Sequence, residues 1–248
     1  MDDKMGEAKI PGMQGFNFSA IRTEHLGATE YTLVTIAVDL TGSVYGFKNE
    51  LLESLKTAVK ACKKSPRSDN LLMRVIVFST RYPNGVEELH GFKPLAEIDP
   101  DNDYLPFDPG GGTPLFDACY SGIGAINVYA KQLANDDFLA NGIVFIITDG
   151  CDNASQATPN MIKKQINQAV KGEDIESLLT IIIGINVADC SQELDDFRQQ
   201  AGIDQYIDAG QATKGKLAKM ADFVSQSVSS QSQALGTGGP SKDISATI

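Results

Sequence analysis

The 248-residue sequence is long enough for one α/β domain of about 200 residues with extra residues at both ends, and its hydrophobic content of 42% is sufficient for a large core. A formal net charge of -11 disfavours nucleic acids and anionic membranes as partners, because both would be repelled. The sequence contains no stretch of about 20 apolar residues, so it predicts no membrane span.

The N-terminal residues and the cysteines indicate where the protein resides. Residues 1–7 are acidic and lack the apolar segment of a secretory signal, so we expect no export by that route. The four cysteines are widely spaced and form no C-x-x-C pair, which favours reduced thiols over a disulfide framework. They are Cys62, Cys119, Cys151 and Cys190. We therefore expect a cytoplasmic protein.

The chain begins with a polar stretch, which is followed by a buried strand and a helix. Residues 1–29 are predicted to form a loose N-terminal arm, tied down by the alternating patch 16–21 as an edge strand. The main domain is expected to span residues 30–229, and its first strand runs from Tyr31 to Asp39. A helix is predicted from about Tyr45 to Lys63, because its apolar residues recur at intervals of three and four.

The end of the first strand carries a cluster of oxygen ligands. Asp39 ends the apolar run, and the hydroxyls of Thr41 and Ser43 follow on a short turn that Gly42 allows to bend tightly. Ligands that are all oxygen suit a hard divalent cation, Mg2+ before Ca2+. Because Mg2+ takes about six oxygens, further ligands must come from elsewhere in the chain.

Two later segments can supply those ligands. Thr113 follows a glycine-rich turn and precedes a helix that has proline early and is predicted to extend to Ala134. The buried strand 142–148 is followed by Asp149, so this segment, like the first strand, is an apolar run that ends in an acid. The alternative interpretation is that these acids and hydroxyls only cap turns and helix ends.

The rest of the chain alternates strands with helices. Further strands are predicted at 71–78 and 86–91, which form an antiparallel hairpin, and at 178–184 and 205–208. Further helices are predicted at 159–170, 190–201 and 214–229, and residues 230–248 are expected to form a disordered tail. The alternation favours a doubly wound, mostly parallel α/β sheet with helices on both faces, in which Asp39, Thr113 and Asp149 meet at the carboxyl edge.

The three segments together resemble the metal-ion-dependent adhesion site (MIDAS) of the von Willebrand factor A family, written D-x-S-x-S, then a distant Thr, then a distant Asp. Asp39, Thr41 and Ser43 match the first part, Thr113 the second and Asp149 the third, with Thr41 where serine is usual. The resemblance covers residues 30–229 and is to intracellular bacterial members. It implies a Rossmann-like, six-stranded, mostly parallel sheet with one antiparallel edge strand.

The resemblance also implies a protein-binding module and not an enzyme. All five matched residues would hold Mg2+, with Mn2+ or Ca2+ as alternatives, and an Asp or Glu carboxylate of a partner protein would be the last ligand. With only two acids in its shell, the metal keeps net positive character and attracts an anion.

Two other functions remain open at this point. The segment 39–43 also resembles the D-x-D-G-[ST] opening of haloacid-dehalogenase-like phosphatases, in which Asp39 would be the nucleophile that forms an aspartyl phosphate. Thr41 replaces the general acid of that motif, and the Gly-Gly-Thr-Pro-Leu element is not part of its pattern. The second alternative is a structural protein that has kept the fold and uses its site little.

Overall fold

The computed structural model describes residues 4–172 and 174–238, and its centre is one eight-stranded sheet. The strands are β1 Met5–Lys9, β2 Asn17–Ile21, β3 Glu30–Asp39, β4 Leu71–Phe78, β5 Val86–Pro94, β6 Leu139–Thr148, β7 Leu178–Gly184 and β8 Gln205–Asp208. The helices are α1 Lys48–Lys63, α2 Pro100–Asp103, α3 Leu115–Asn135, α4 Pro159–Lys171, α5 Ser191–Ala201 and α6 Lys214–Thr237. No helix among the described residues combines the length and apolar character that crossing a lipid bilayer requires.

The strand order is β1-β2-β5-β4-β3-β6-β7-β8. The run from β4 to β8 is parallel throughout, whereas β4 pairs antiparallel with β5 and β1 pairs antiparallel with β2. The expected mostly parallel sheet is therefore present, but the prediction of six strands is wrong. The antiparallel strand β5 is also not an edge, because β2 pairs with it and β1 lies beyond.

The central strands are aligned so that their carboxyl ends reach the same edge. Val38 of β3 lies opposite Val77 of β4 on one side and Ile147 of β6 on the other. Asp39 and Thr148 therefore leave the sheet side by side. This register fixes the place where the loops after β3 and β6 meet.

Each face of the sheet carries its own apolar core. Along β3, Leu33 and Ala37 pack with residues of α3, α4 and α5, whereas Val34, Ile36 and Val38 pack with residues of α1 and α6. This division follows from the strand period of two, which sends alternate side chains to opposite faces. Each fully buried Leu, Ile or Val side chain contributes about 2 kcal/mol, so the two cores fix the sheet and its edge firmly.

The N-terminal segment is an integral part of the domain, which differs from the loose arm expected from the sequence. Phe18 of β2 packs edge-on against Phe92 and Tyr129, with ring centroids 6.1 and 6.5 Å away, and the Tyr129 hydroxyl donates to the carbonyl of Ile21 over 2.6 Å. A Cβ on Gly91 would lie 2.0 Å from the Ser19 carbonyl oxygen, so only glycine permits this close approach of β2 to β5.

A buried ion pair reinforces that contact. Arg74 of β4 is 1% exposed, and its Nε donates to Glu88 Oε2 of β5 over 2.6 Å. Glu88 also accepts the backbone N–H of Ser19 over 3.0 Å, and the Arg74 guanidinium donates to Ser121 of α3. Strands β2, β4 and β5 and helix α3 are thereby joined by one charged network.

The last helix also differs from its predicted length. The sequence predicts its end near Ser229, whereas α6 continues to Thr237 and stops at Gly238, which has a left-handed φ of 64°. The additional turns are buried: Ser232 accepts from Arg67 Nε over 3.0 Å, and the Gln231 carbonyl accepts from Asn141 over 2.8 Å. Tertiary contacts here outweigh the weak helix propensity of the Ser, Gly and Thr residues in these turns. The remainder of the expected tail, residues 239–248, lies outside the described residues.

Candidate metal centre

Asp39 anchors the site at the end of β3. Its side chain is 1% exposed, and both carboxylate oxygens already have partners: Oδ1 accepts the backbone N–H of Thr41 over 2.9 Å, and Oδ2 accepts the hydroxyl of Thr148 over 2.8 Å. The first bond closes the turn after β3, and the second ties that turn to the end of β6. Asp39 therefore positions the neighbouring groups.

The turn after Asp39 presents two hydroxyls toward Asp149. Thr41 Oγ1 and Ser43 Oγ are 3.1 Å apart, and Ser43 Oγ donates to Asp149 Oδ1 over 2.8 Å. Thr41 is extended, with ψ of 174°, and a 3-10 turn begins at Gly42, which turns the chain back over the sheet edge. The sequence-predicted Asp39, Thr41, Ser43 and Asp149 thus form one hydrogen-bonded chain.

The spacing of these oxygens matches the shell of a small cation. Two adjacent ligands of an octahedral Mg2+ at about 2.1 Å lie about 3.0 Å from each other. The two measured separations, 3.1 and 2.8 Å, bracket that value. Thr41, Ser43 and Asp149 therefore have the donor type and the spacing of three neighbouring metal ligands.

The electrostatics of the site also favour a cation. Burial, and after it the charge of Asp149, raise the pKa of Asp39 to about 6. Burial likewise raises the pKa of Asp149, opposed by the hydrogen bond from Ser43. Two carboxyls that resist ionisation when alone would be stabilised as carboxylates by a divalent cation between them.

Thr113 lies in the adjacent loop between Gly110 and α3. It is 5% exposed, and its hydroxyl has no hydrogen-bond partner among the described residues. The loop is held over the β3 turn because the Gly42 N–H donates to the Gly111 carbonyl over 3.2 Å. Gly111 has φ of 79°, and a Cβ there would lie 2.6 Å from the Thr80 hydroxyl. The structure thus brings Thr113 to the same edge, and the described residues show no hydrogen bond between Thr113 and the other four residues.

Several residues that the motif does not include hold these loops together. The backbone N–H of Thr113 donates to Asn153 Oδ1 over 2.7 Å, which fastens the Thr113 loop to the loop after Asp149. Asp117, on the first turn of α3, accepts the N–H groups of Gln156 and Ala157 over 3.1 and 2.7 Å. Burial raises the pKa of Asp117, and the Ala157 N–H opposes that effect. Asp117 thus joins the first turn of α3 to the Asp149 loop.

Other candidate ligands of the chain are used structurally. The carboxylates of the short acidic segment at α2 pair with lysines, with Lys60 to Asp101 at 2.7 Å and Lys93 to Asp103 at 3.2 Å. Within residues 4–172 and 174–238, no group of three or more His, Cys, Asp and Glu side chains could hold a metal. A centre built from two carboxylates and hydroxyls is therefore the candidate that this part of the chain supports.

Comparison with known proteins identifies the fold. No protein-family model matches the chain, and no curated protein sequence matches it either. The pilus adhesin SpaC from Lactobacillus rhamnosus GG, in its open conformation, is similar with a TM-score of 0.62 at 9% identity, over 92% of this chain and 32% of its own. Proximal thread matrix protein 1 from the mussel byssus has a TM-score of 0.53 at 16% identity, over 81% of this chain and 47% of its own.

The mussel protein is also known with a zinc-occupied MIDAS motif, and that structure has a TM-score of 0.52 at 15% identity, over 82% of this chain and 47% of its own. The chain therefore spans less than half the length of each of these proteins. At these identities the likeness shows the fold alone, which is of the von Willebrand factor A type, with eight strands among the residues that the structure describes.

Proposed function

We propose that the protein is a metal-dependent protein-binding module whose divalent cation, Mg2+ in the cell, accepts an Asp or Glu side chain of a partner protein. The observation that carries this proposal is the hydrogen-bonded chain through Thr41, Ser43 and Asp149, whose oxygen separations of 3.1 and 2.8 Å are close to those of adjacent ligands in an octahedral shell. The mussel relative with zinc at its MIDAS motif supports a divalent metal at this position.

Each residue has a distinct part in this proposal. Thr41, Ser43 and Asp149 would contact the metal, and the partnerless hydroxyl of Thr113 would add a further neutral ligand. Asp39 would hold these ligands in position, because its two oxygens accept hydrogen bonds from Thr41 and Thr148. Neutral hydroxyls leave positive charge on the metal, and that charge recruits an external carboxylate.

The burial of Asp39 supports binding over phosphoryl transfer. A nucleophile that forms an aspartyl phosphate needs an oxygen free to attack, whereas both oxygens of Asp39 accept hydrogen bonds and the residue is 1% exposed. Thr41 also stands where the phosphatase motif requires an acid. We therefore propose a protein without enzymatic activity. All four cysteines are free, which supports the cytoplasmic location that we propose for it.

Two measurements test the function. Calorimetric titration of the chain with Mg2+ should show binding that is lost in Asp149→Ala. The immobilised chain should then capture a partner from an extract of its own cells in Mg2+ and release it in EDTA, and Asp149→Ala should capture nothing. Capture that is indifferent to EDTA would refute the proposal, as would Mg2+-dependent hydrolysis of an aryl phosphate that disappears in Asp39→Asn.

A further inference from the structure

Two of the four cysteines lie beside each other near the candidate metal centre. Cys151 is in the loop between β6 and α4, two positions after Asp149, and Cys190 is the residue directly before α5. The thiol of Cys151 donates to the backbone carbonyl of Cys190 over 3.4 Å. Both residues are half-buried, whereas Cys62 and Cys119 are fully buried at 0% exposure.

The sheet holds this pair together. The loops that carry the two cysteines leave neighbouring parallel strands, since Thr148 of β6 lies opposite Gly184 of β7. The N–H of Ile185 donates to the Thr148 carbonyl over 2.9 Å and extends the pairing past the end of β7. The Cys190 carbonyl also accepts the N–H of Leu194 over 3.0 Å, which fixes that residue on the first turn of α5.

The two residues share one environment. Both pack against the apolar core on the face of the sheet that carries α3, α4 and α5, and the Cys151 thiol contacts the Cys190 backbone. A disulfide requires Cα atoms closer than about 7 Å and converging Cβ vectors. Because the Cys151 sulfur lies 3.4 Å from the carbonyl oxygen of Cys190, we expect rotation of the side chains to bring the two sulfur atoms together.

We propose that Cys151 and Cys190 form a reversible intramolecular disulfide when the protein meets a low-molecular-weight disulfide such as oxidised glutathione. The thiolate of one cysteine attacks a sulfur of oxidised glutathione, whose S–S bond breaks and releases one glutathione thiolate. The second cysteine then attacks the protein sulfur of this mixed disulfide and releases the other glutathione. The two protein thiols lose two protons and two electrons, and oxidised glutathione becomes two molecules of reduced glutathione.

The bond would tie the Asp149 loop to the start of α5. It would close a loop between positions that are 39 residues apart in the chain. Such a closure stabilises a folded protein mainly by restricting the unfolded chain. We expect the oxidised protein to melt at least about 5 °C higher than the reduced one.

The test uses the full chain incubated with oxidised glutathione at pH 8, followed by peptide mapping without reductant. We expect a peptide that joins Cys151 to Cys190, lighter by two hydrogen atoms than the separate peptides and cleaved by dithiothreitol, while Cys62 and Cys119 stay reduced. Cys151→Ser and Cys190→Ser are matched variants, each of which should form only a glutathione adduct on the cysteine that remains.

Two results would overturn this inference. One is a folded wild-type protein, verified by circular dichroism, in which both thiols remain reduced after incubation. The other is a wild-type protein that accumulates glutathione adducts on Cys151 or Cys190 and no cross-link. A cross-linked protein whose melting temperature equals that of the reduced protein would refute the proposed tether.

Discussion

Ser43 Oγ donates to Asp149 Oδ1 over 2.8 Å, although 106 positions separate the two residues in the chain. The bond joins the loop after β3 to the loop after β6, and it exists because the two strands pair in parallel and end at the same level. The hydroxyl of Ser43 also lies 3.1 Å from that of Thr41, so it occupies the middle of the oxygen chain. Ser43 is therefore the residue whose removal should damage the metal centre with the least effect on the fold.

We expect Ser43→Ala to lower the Mg2+ affinity at least about tenfold, because it removes the central hydroxyl and leaves Asp149 without its hydrogen-bond donor. Calorimetric titration measures the affinity. Ser225→Ala is the matched control, since Ser225 is half-buried on α6 and its hydroxyl donates to the carbonyl of Asp222. Wild-type affinity in Ser43→Ala would contradict the assignment of the site.

Asp117→Asn should loosen the loop that carries Asp149. The neutral amide of asparagine accepts these N–H groups less strongly than the carboxylate, and its NH2 group replaces Asp117 Oδ2, which accepts the Gln156 N–H over 3.1 Å. We therefore expect the free energy of unfolding to fall by about 1–3 kcal/mol. The Mg2+ affinity should also fall, because Asp117 fixes the loop that carries Asp149, although it does not itself contact the cation site. Asp137→Asn is the control, since Asp137 is exposed and its φ of 64° suits asparagine. Unchanged urea denaturation in Asp117→Asn would refute this role.

Glu88→Ala should destabilise the protein by about 3–5 kcal/mol, because it leaves the buried guanidinium of Arg74 without its counter-charge. The same change removes the acceptor of the Ser19 N–H and should release the β1–β2 hairpin, which hydrogen exchange would detect as lost protection at residues 17–21. Glu87→Ala, at an exposed neighbouring position, should change neither measurement. Equal stability of the two variants would show that the ion pair is dispensable.

The stability of the protein should fall in mild acid partly because of His90. Burial lowers the pKa of His90 from 6.5 to about 4, so the unfolded chain binds a proton below pH 6.5 that the folded chain refuses until pH 4. Above pH 6.5 this proton has little effect on the free energy of unfolding. By pH 5 it has lowered the free energy of unfolding by about 2 kcal/mol. Urea denaturation at pH 7.5 and 5 should show a smaller acid loss in His90→Gln than in the wild type. An equal loss in both proteins would contradict this account.

The sequence predicts those parts of the fold whose signals are local. Strand β3 and the strand before Asp149 stand out as apolar runs rich in β-branched residues, and the pattern of α1 shows the face that it buries. The oxygen-bearing turn at Asp39 is visible for the same reason, since a polar cluster follows a buried strand directly. The convergence of this turn with Thr113 and Asp149 at one edge follows from the parallel alternation of strands and helices.

The sequence does not reveal contacts whose partners are far apart. The N-terminal hairpin is stable because Gly91 admits Ser19 and because Phe18 finds Phe92 and Tyr129, and none of these partners is local. The roles of Asn153 and Asp117 are hidden in the sequence for the same reason, because their partners lie about forty positions away. The only signal for Asn153 is a polar residue close behind Asp149, and many loop residues have that character.

The close packing of β2 against β5 determines how short a functional version of this protein can be made. A chain trimmed to start at Glu30 would leave Phe92 and Tyr129 facing water and the outer backbone groups of β5 unpaired. Exposed aromatic surface beside an open strand is what drives chains to associate with one another. We expect such a trimmed protein to precipitate or to form dimers through β5, for a reason that does not involve the candidate metal centre.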